Sequence, residues 1–81
     1  MALKSITVNA FWDPQAHVWV ASSLEVAELV AEAATLEQLQ AKTLAMLEDL
    51  IELNGIDTDL PEITVHFKAE HSAKLAIPRA A

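Results

Sequence analysis

The chain has 81 residues, no cysteine and a net charge of −7, which makes it one domain without disulfides or thiolate metal sites. A chain this short buries only about 60% of its unfolded surface, so its own stability is modest and association is expected. Its five cations, Lys4, Lys42, Lys68, Lys74 and Arg79, are scattered, which argues against nucleic acid, because phosphate binding needs clustered positive charge.

Acidity suits a basic partner, since complementary fields speed encounter, although it also serves solubility alone. The apolar runs fall far short of the ~20 residues of a membrane helix. Met1-Ala2-Leu3-Lys4 lacks the apolar core of a signal peptide, so a soluble, cytoplasmic protein is expected.

In chain order, Ile6, Val8 and Ala10 alternate with Thr7, Asn9 and Phe11, and Val18, Val20 and Ser22 alternate with Trp19 and Ala21. That period of two is the signature of strands. Asp13-Pro14 begins the turn between them, because proline presets φ and Asp bonds backbone amides ahead of it. His17 falls where such loops need positive φ. If Trp12 opposes Val18, then Phe11 opposes Trp19 and Ala10 opposes Val20, which places aliphatics on one face and an aromatic pair on the other.

The segment Ser23–Ala34 reads two ways. Its Ala, Glu and Leu content favours a helix, with Ser22 and Glu25 spaced as a capping box. Leu29, Ala31 and Ala33 also alternate with Glu28, Val30 and Glu32, as in a strand. A helix is then expected from about Leu36 to Leu53, capped by Thr35 with Gln38 three residues on. Leu36, Leu39, Thr43, Leu47, Leu50 and Asn54 follow one helical face, broadened by Leu44, Met46, Ile51 and Leu53. Gly55, the single glycine of the chain, supplies a left-handed stop after Asn54. A loop with Asp57, Asp59 and Pro61 leads to a strand over Glu62–Lys68, where Ile63, Val65 and Phe67 alternate with Thr64, His66 and Lys68. Residues 70–81 read as a flexible tail beyond a domain of residues 1–69, with a short helix around Ser72–Ile77 interrupted by Pro78.

The run VNAFWDPQAHVWVASS, then Leu29-Val30-Ala31-Glu32-Ala33 and Thr35-Leu36-Glu37, resembles a HicB-like family of short bacterial proteins of unknown function. These proteins are similar to the N-terminal domain of the antitoxin HicB. The resemblance covers about residues 4–68, and its most specific parts are the V-W-V-A strand and the T-L-E helix start. The chain departs from the pattern at Ala27-Glu28, where Pro-Gly is usual, and near His17, where a glycine is usual. The resemblance implies a third strand over Glu28–Ala33. The expected fold is therefore α+β: a β-β-β-α-β antiparallel sheet with one long helix packed on one face, HicB-like and akin to a truncated RNase H core.

One helix cannot cover both faces of a sheet. Ile6, Val8, Ala10, Val18, Val20, Ile63, Val65 and Phe67 are assigned to the helix side. The opposite face would then show Asn9, Phe11, Trp19, Val30 and His66, the candidate partner interface, because an exposed aromatic patch with polar surroundings marks an association site. The bland alternatives are cover by the tail or an inverted strand phase.

No catalytic signature is present. The three histidines are His17, His66 and His71, and positions 66 and 71 point to opposite faces of a continuing strand, so neither metal nor cofactor is expected. Likeness to RNase H invites a nuclease reading of Asp13, but two-metal hydrolysis needs several convergent carboxylates, and Asp13 is explained by the turn. Ser22, Ser23 and Ser72 have no paired base. A non-enzymatic interaction domain is expected. The resemblance implies a small basic RNA-cleaving toxin of the HicA kind as partner; the alternative is a stand-alone homodimer joined through the open sheet face. HicB antitoxins add a C-terminal DNA-binding segment, for which this chain shows no pattern, so direct DNA binding is not expected.

Overall fold

The computed structural model describes residues 5–54 and 62–78. The elements run β1 (Ser5–Asp13), β2 (Val18–Ser23), β3 (Val30–Ala33), α1 (Leu36–Asn54) and β4 (Thr64–Glu70). They form a two-layer α+β domain, one four-stranded sheet in the order β3-β2-β1-β4 with the helix on one face. The expected stop at Gly55 and the loop of Asp57, Asp59 and Pro61 lie outside the described residues.

The sheet is mixed, not antiparallel as expected. β1 pairs antiparallel with β2, and β2 with β3, but β4 lies parallel to β1. The reason is directional. Two reversals leave β3 running the same way as β1, and α1 carries the chain back along the sheet. β4 must therefore start again in the direction of β1, and a parallel partner needs such a crossover of a dozen or more residues.

The first turn forms as its residues require. Asp13 Oδ1 accepts the amides of Gln15 at 3.0 Å and Ala16 at 3.3 Å, and the Asp13 carbonyl accepts His17 N–H at 2.9 Å. His17 adopts φ 56°. The register, however, is one residue away from the expected one: Trp12 opposes Trp19, Phe11 opposes Val20 and Asp13 opposes Val18. Because side chains alternate, this slip moves every residue of β2 to the other face. Ala21 and Ser23 are buried and Trp19 packs on the core, whereas Val18 and Val20 face outward. The assignment of Val18 and Val20 to the helix side is thereby corrected.

Segment 24–29 is neither the capped helix nor the start of the strand, which begins at Val30 rather than Glu28. Leu29 N–H donates to the Val26 carbonyl at 3.0 Å, closing a turn, and both Val26 and Leu29 are buried. Helix propensities differ by less than about 1 kcal/mol per residue, while burying a Val or Leu side chain is worth about 1.5–3 kcal/mol. Burial wins. Glu25 ties the turn to β1: its Oε1 accepts Thr7 N–H at 3.1 Å and the Ser23 hydroxyl at 3.0 Å.

The helix starts at its expected cap, with Thr35 Oγ1 accepting Gln38 N–H at 3.1 Å. Leu39, Thr43 and Leu47 are buried on the sheet, Met46, Leu50 and Ile51 half-buried, and Leu53 is exposed. The helix lies over β3 and β2. Its Lys42 Nζ donates to the Glu32 carbonyl of edge strand β3 at 2.9 Å. Beneath the helix the sheet presents a cross-strand row of alanines, Ala31, Ala21, Ala10 and Ala69. Ala10, Ala21 and Ala31 are buried, but Ala69 on β4 is exposed, beyond the helix's cover.

Residues 71–78 leave the end of β4 as irregular, exposed chain. The expected short helix around Ser72–Ile77 is absent. So few residues cannot sustain a helix in water unless they pack against something. The molecule measures 64 × 21 × 19 Å. The helix spans only about 29 Å, so this arm projects well clear of the two-layer body.

Candidate functional site

The sheet's outer face is built by alternation. On β1 it carries Thr7, Asn9 and Phe11; on β4, Thr64, His66, Lys68 and Glu70; on β2, Val18, Val20 and Ser22; and on β3, Val30 and Glu32. Strand register sets these into rows. One row reads Val30, Ser22, Asn9, Lys68 from edge to edge, and the next reads Glu32, Val20, Phe11, Glu70. Phe11 is 49% exposed and Val30 59%. The apolar centre of the second row is thus bracketed by a carboxylate on either side.

Of the expected interface residues, the structure brings Asn9, Phe11, Val30 and His66 onto this face. Trp19 is not there. It sits on the helix side, half-buried against the core, with its ring edge-on to Trp12 at 5.6 Å. Val18 and Val20 take its place, and the expectation missed them because it set the register one residue short. The signal for the correct register was the turn itself: an Asp13 that bonds two amides ahead and a positive-φ His17 leave four residues, Pro14–His17, between the paired ends Asp13 and Val18.

A second cluster, unseen in the sequence, lies at the same end of the sheet on the helix side. The His71 ring lies 5.8 Å from each of Trp12 and Trp19, and His17 stands 6.2 Å from Trp12. These edge-to-face contacts pack the rings at the end of the sheet. An open depression of about 490 Å³ adjoins them, with Phe11, Trp12, Pro14, Glu70 and His71 in its wall. His66 and His71 lie on opposite faces, as their spacing requires. Among the described residues, no three His, Asp or Glu side chains come together as a metal would need, and no helix is long and apolar enough to cross a membrane.

Among the described residues, Glu25 is the one group whose acidity clearly moves. The Thr7 amide, then the Ser23 hydroxyl and its own backbone amide, hold its carboxyl below the usual glutamate range. It braces the turn before β3 and lies at the far end of β1 from Phe11.

The fold and this open face define a small two-layer α+β domain whose sheet, among the described residues, is covered on one side only. Residues 5–78 match the domain of unknown function DUF1902, and the chain belongs to that family. It is similar to the hypothetical protein TTHA1013 from the extremely thermophilic bacterium Thermus thermophilus. That likeness shows 42% identity over 90% of this chain and 99% of the other, with a TM-score of 0.68. No curated protein matches.

Proposed function

We propose that this domain is a non-enzymatic, cytoplasmic protein-interaction module of the antitoxin-like type, whose outer sheet face docks a small basic RNA-cleaving toxin of the HicA kind. The observation that carries the reading is the row Glu32, Val20, Phe11, Glu70, an apolar centre flanked by carboxylates. Such a surface fits a partner that offers an apolar anchor between two cations, because complementary charge speeds encounter and desolvated aromatic contacts hold the complex. The chain's net charge of −7 favours the same kind of partner, as does the resemblance of its β1–β2 hairpin to HicB antitoxins. Neutralisation would follow from masking of the toxin's active site.

The test is co-expression with any small basic protein encoded beside this gene, followed by co-purification and titration calorimetry. Phe11→Ser combined with Val30→Ser should weaken binding more than tenfold while the far-UV circular dichroism stays unchanged. Failure to recover any such partner, or unchanged affinity in the double variant, would sink the reading.

The second reading is a homodimer joined through this same face. It is favoured by the exposure of Phe11 and Val30 beside two half-buried valines. Light scattering decides it: a dimer dispersed by the same double variant supports it, and a strict monomer removes it.

A further inference from the structure

We infer that the C-terminal arm, residues 71–78, docks in an apolar groove of a second copy of this chain, so that two copies exchange arms. The arm carries Leu75 at 83% exposure and Ile77 at 70%. Their spacing of two points both to one side of an extended segment. Aliphatic side chains left in water on a projecting segment lack the burial that normally orders them. The arm also lies within the matched family unit, which extends to residue 78.

A receptor for it exists on the helix side. Because α1 lies over β3 and β2, the inner face of β4 is incompletely covered among the described residues. Leu44, Leu47 and Ile51 of the helix there face Ile63 and Val65 across an open groove of about 390 Å³. Leu44 is 42% exposed. Glu48 and Glu62 stand at the groove's rim. Charge matches across the two parts: Lys74, one of only five cations in the chain, adjoins Leu75 in the arm.

In this structure the arm does not fill its own groove, since Leu75 and Ile77 stand exposed. Glu70 ends β4 about 23 Å up the strand from Ile63, at ~3.3 Å per residue. Leu75, five residues further on, reaches at most about 18 Å from Glu70, enough to touch only the near wall at Val65, about 17 Å back along β4, and only by reversing at once. Ile77 could just span the distance, but only by reversing with no residues spent on a turn. A second copy has no such constraint, and reciprocal exchange closes into a twofold dimer, a common outcome when a terminal segment leaves its own body. This surface is separate from the outer face of the proposed function, so either can fail alone.

The test begins with light scattering and sedimentation on the full chain at micromolar concentration, where a dimer is expected. Leu75→Ser with Ile77→Ser should raise the dissociation constant at least tenfold without altering the circular dichroism, whereas Phe11→Ser with Val30→Ser should leave it unchanged. The chain has no cysteine of its own. Leu75→Cys with Leu44→Cys should therefore give a disulfide-linked dimer under mild oxidation, and Leu75→Cys with Val30→Cys should not. A monomeric wild-type chain, a dimer indifferent to the arm substitutions, or cross-linking to position 30 instead of 44 would each overturn the inference.

Discussion

Two residues set the fine balance of this fold. Thr43 is fully buried on the helix's sheet-facing side, and its Oγ1 has no hydrogen-bond partner among the described residues. Burying an unsatisfied hydroxyl costs about 1–3 kcal/mol, while valine has the same shape without it. Thr43→Val should therefore raise unfolding stability by about 1 kcal/mol, read by urea denaturation; a loss of stability would mean that the hydroxyl is satisfied in solution. Glu25 works in the opposite sense. Its carboxylate is favoured in the folded state by the Thr7 and Ser23 donors, which lowers its pKa. A lowered carboxylate contributes stability above its unfolded pKa and loses it as pH falls through the folded value. Melting temperature should thus fall on acidification below the ordinary glutamate range, and Glu25→Gln should make that acid limb shallower. Identical acid limbs in the two proteins would count against the Glu25 brace. The sequence marked Thr43 as a core-facing helix position, but its missing partner depends on what the sheet places opposite.

At the scale of elements, the hairpin shows how a local reading succeeds and then slips. Strand identity, the Asp13 turn and the His17 backbone were all legible, because each depends on residues within a few positions of one another. Which residues oppose across the hairpin depends on loop length, and one residue of error inverts a whole face. That single step moved Trp19 from the expected interface to the core side and put Val20 beside Phe11. The Trp12–Trp19 contact makes the register measurable. Two indoles 5.6 Å apart on one face should produce an exciton couplet in the far-UV circular dichroism that Trp12→Phe abolishes. Absence of the couplet in the parent chain would favour the slipped register. The turn before β3 teaches a related lesson: the Ala- and Glu-rich composition pointed to a helix, and long-range burial of Val26 and Leu29 overrode it. The T-L-E start of α1, by contrast, was read correctly because a cap is satisfied within four residues.

For the molecule as a whole, charge and coverage dominate. A net charge of −7 on 81 residues means that compaction brings like charges together, Glu37, Glu48, Asp49 and Glu52 of α1 among them. Self-repulsion of this kind is screened by salt, whose Debye length shrinks from about 30 Å at 0.01 M to about 8 Å at 0.15 M. The melting temperature should therefore rise by a few degrees across that range, and a fall on adding salt would show that favourable ion pairs outweigh the repulsion. Coverage is uneven in two ways. Among the described residues, no layer lies on the outer face of the sheet, and the helix leaves the inner face of β4 partly open. Both surfaces follow from one helix serving four strands.

By itself the sequence determined the β1–β2 hairpin strands, the long helix with its Thr35 cap and the last strand, since alternation, helical spacing and turn chemistry are local properties. It also pointed to one sheet face left open, as it is among the described residues, because one helix was available to cover two. Only the tertiary structure decided that β4 enters parallel to β1, which side of the sheet each tryptophan takes, and that the arm of Leu75 and Ile77 stands clear of the body. Those outcomes depend on register, on the direction in which the crossover returns the chain, and on burial between residues far apart in sequence. Periodicity within a single strand carries no record of any of them.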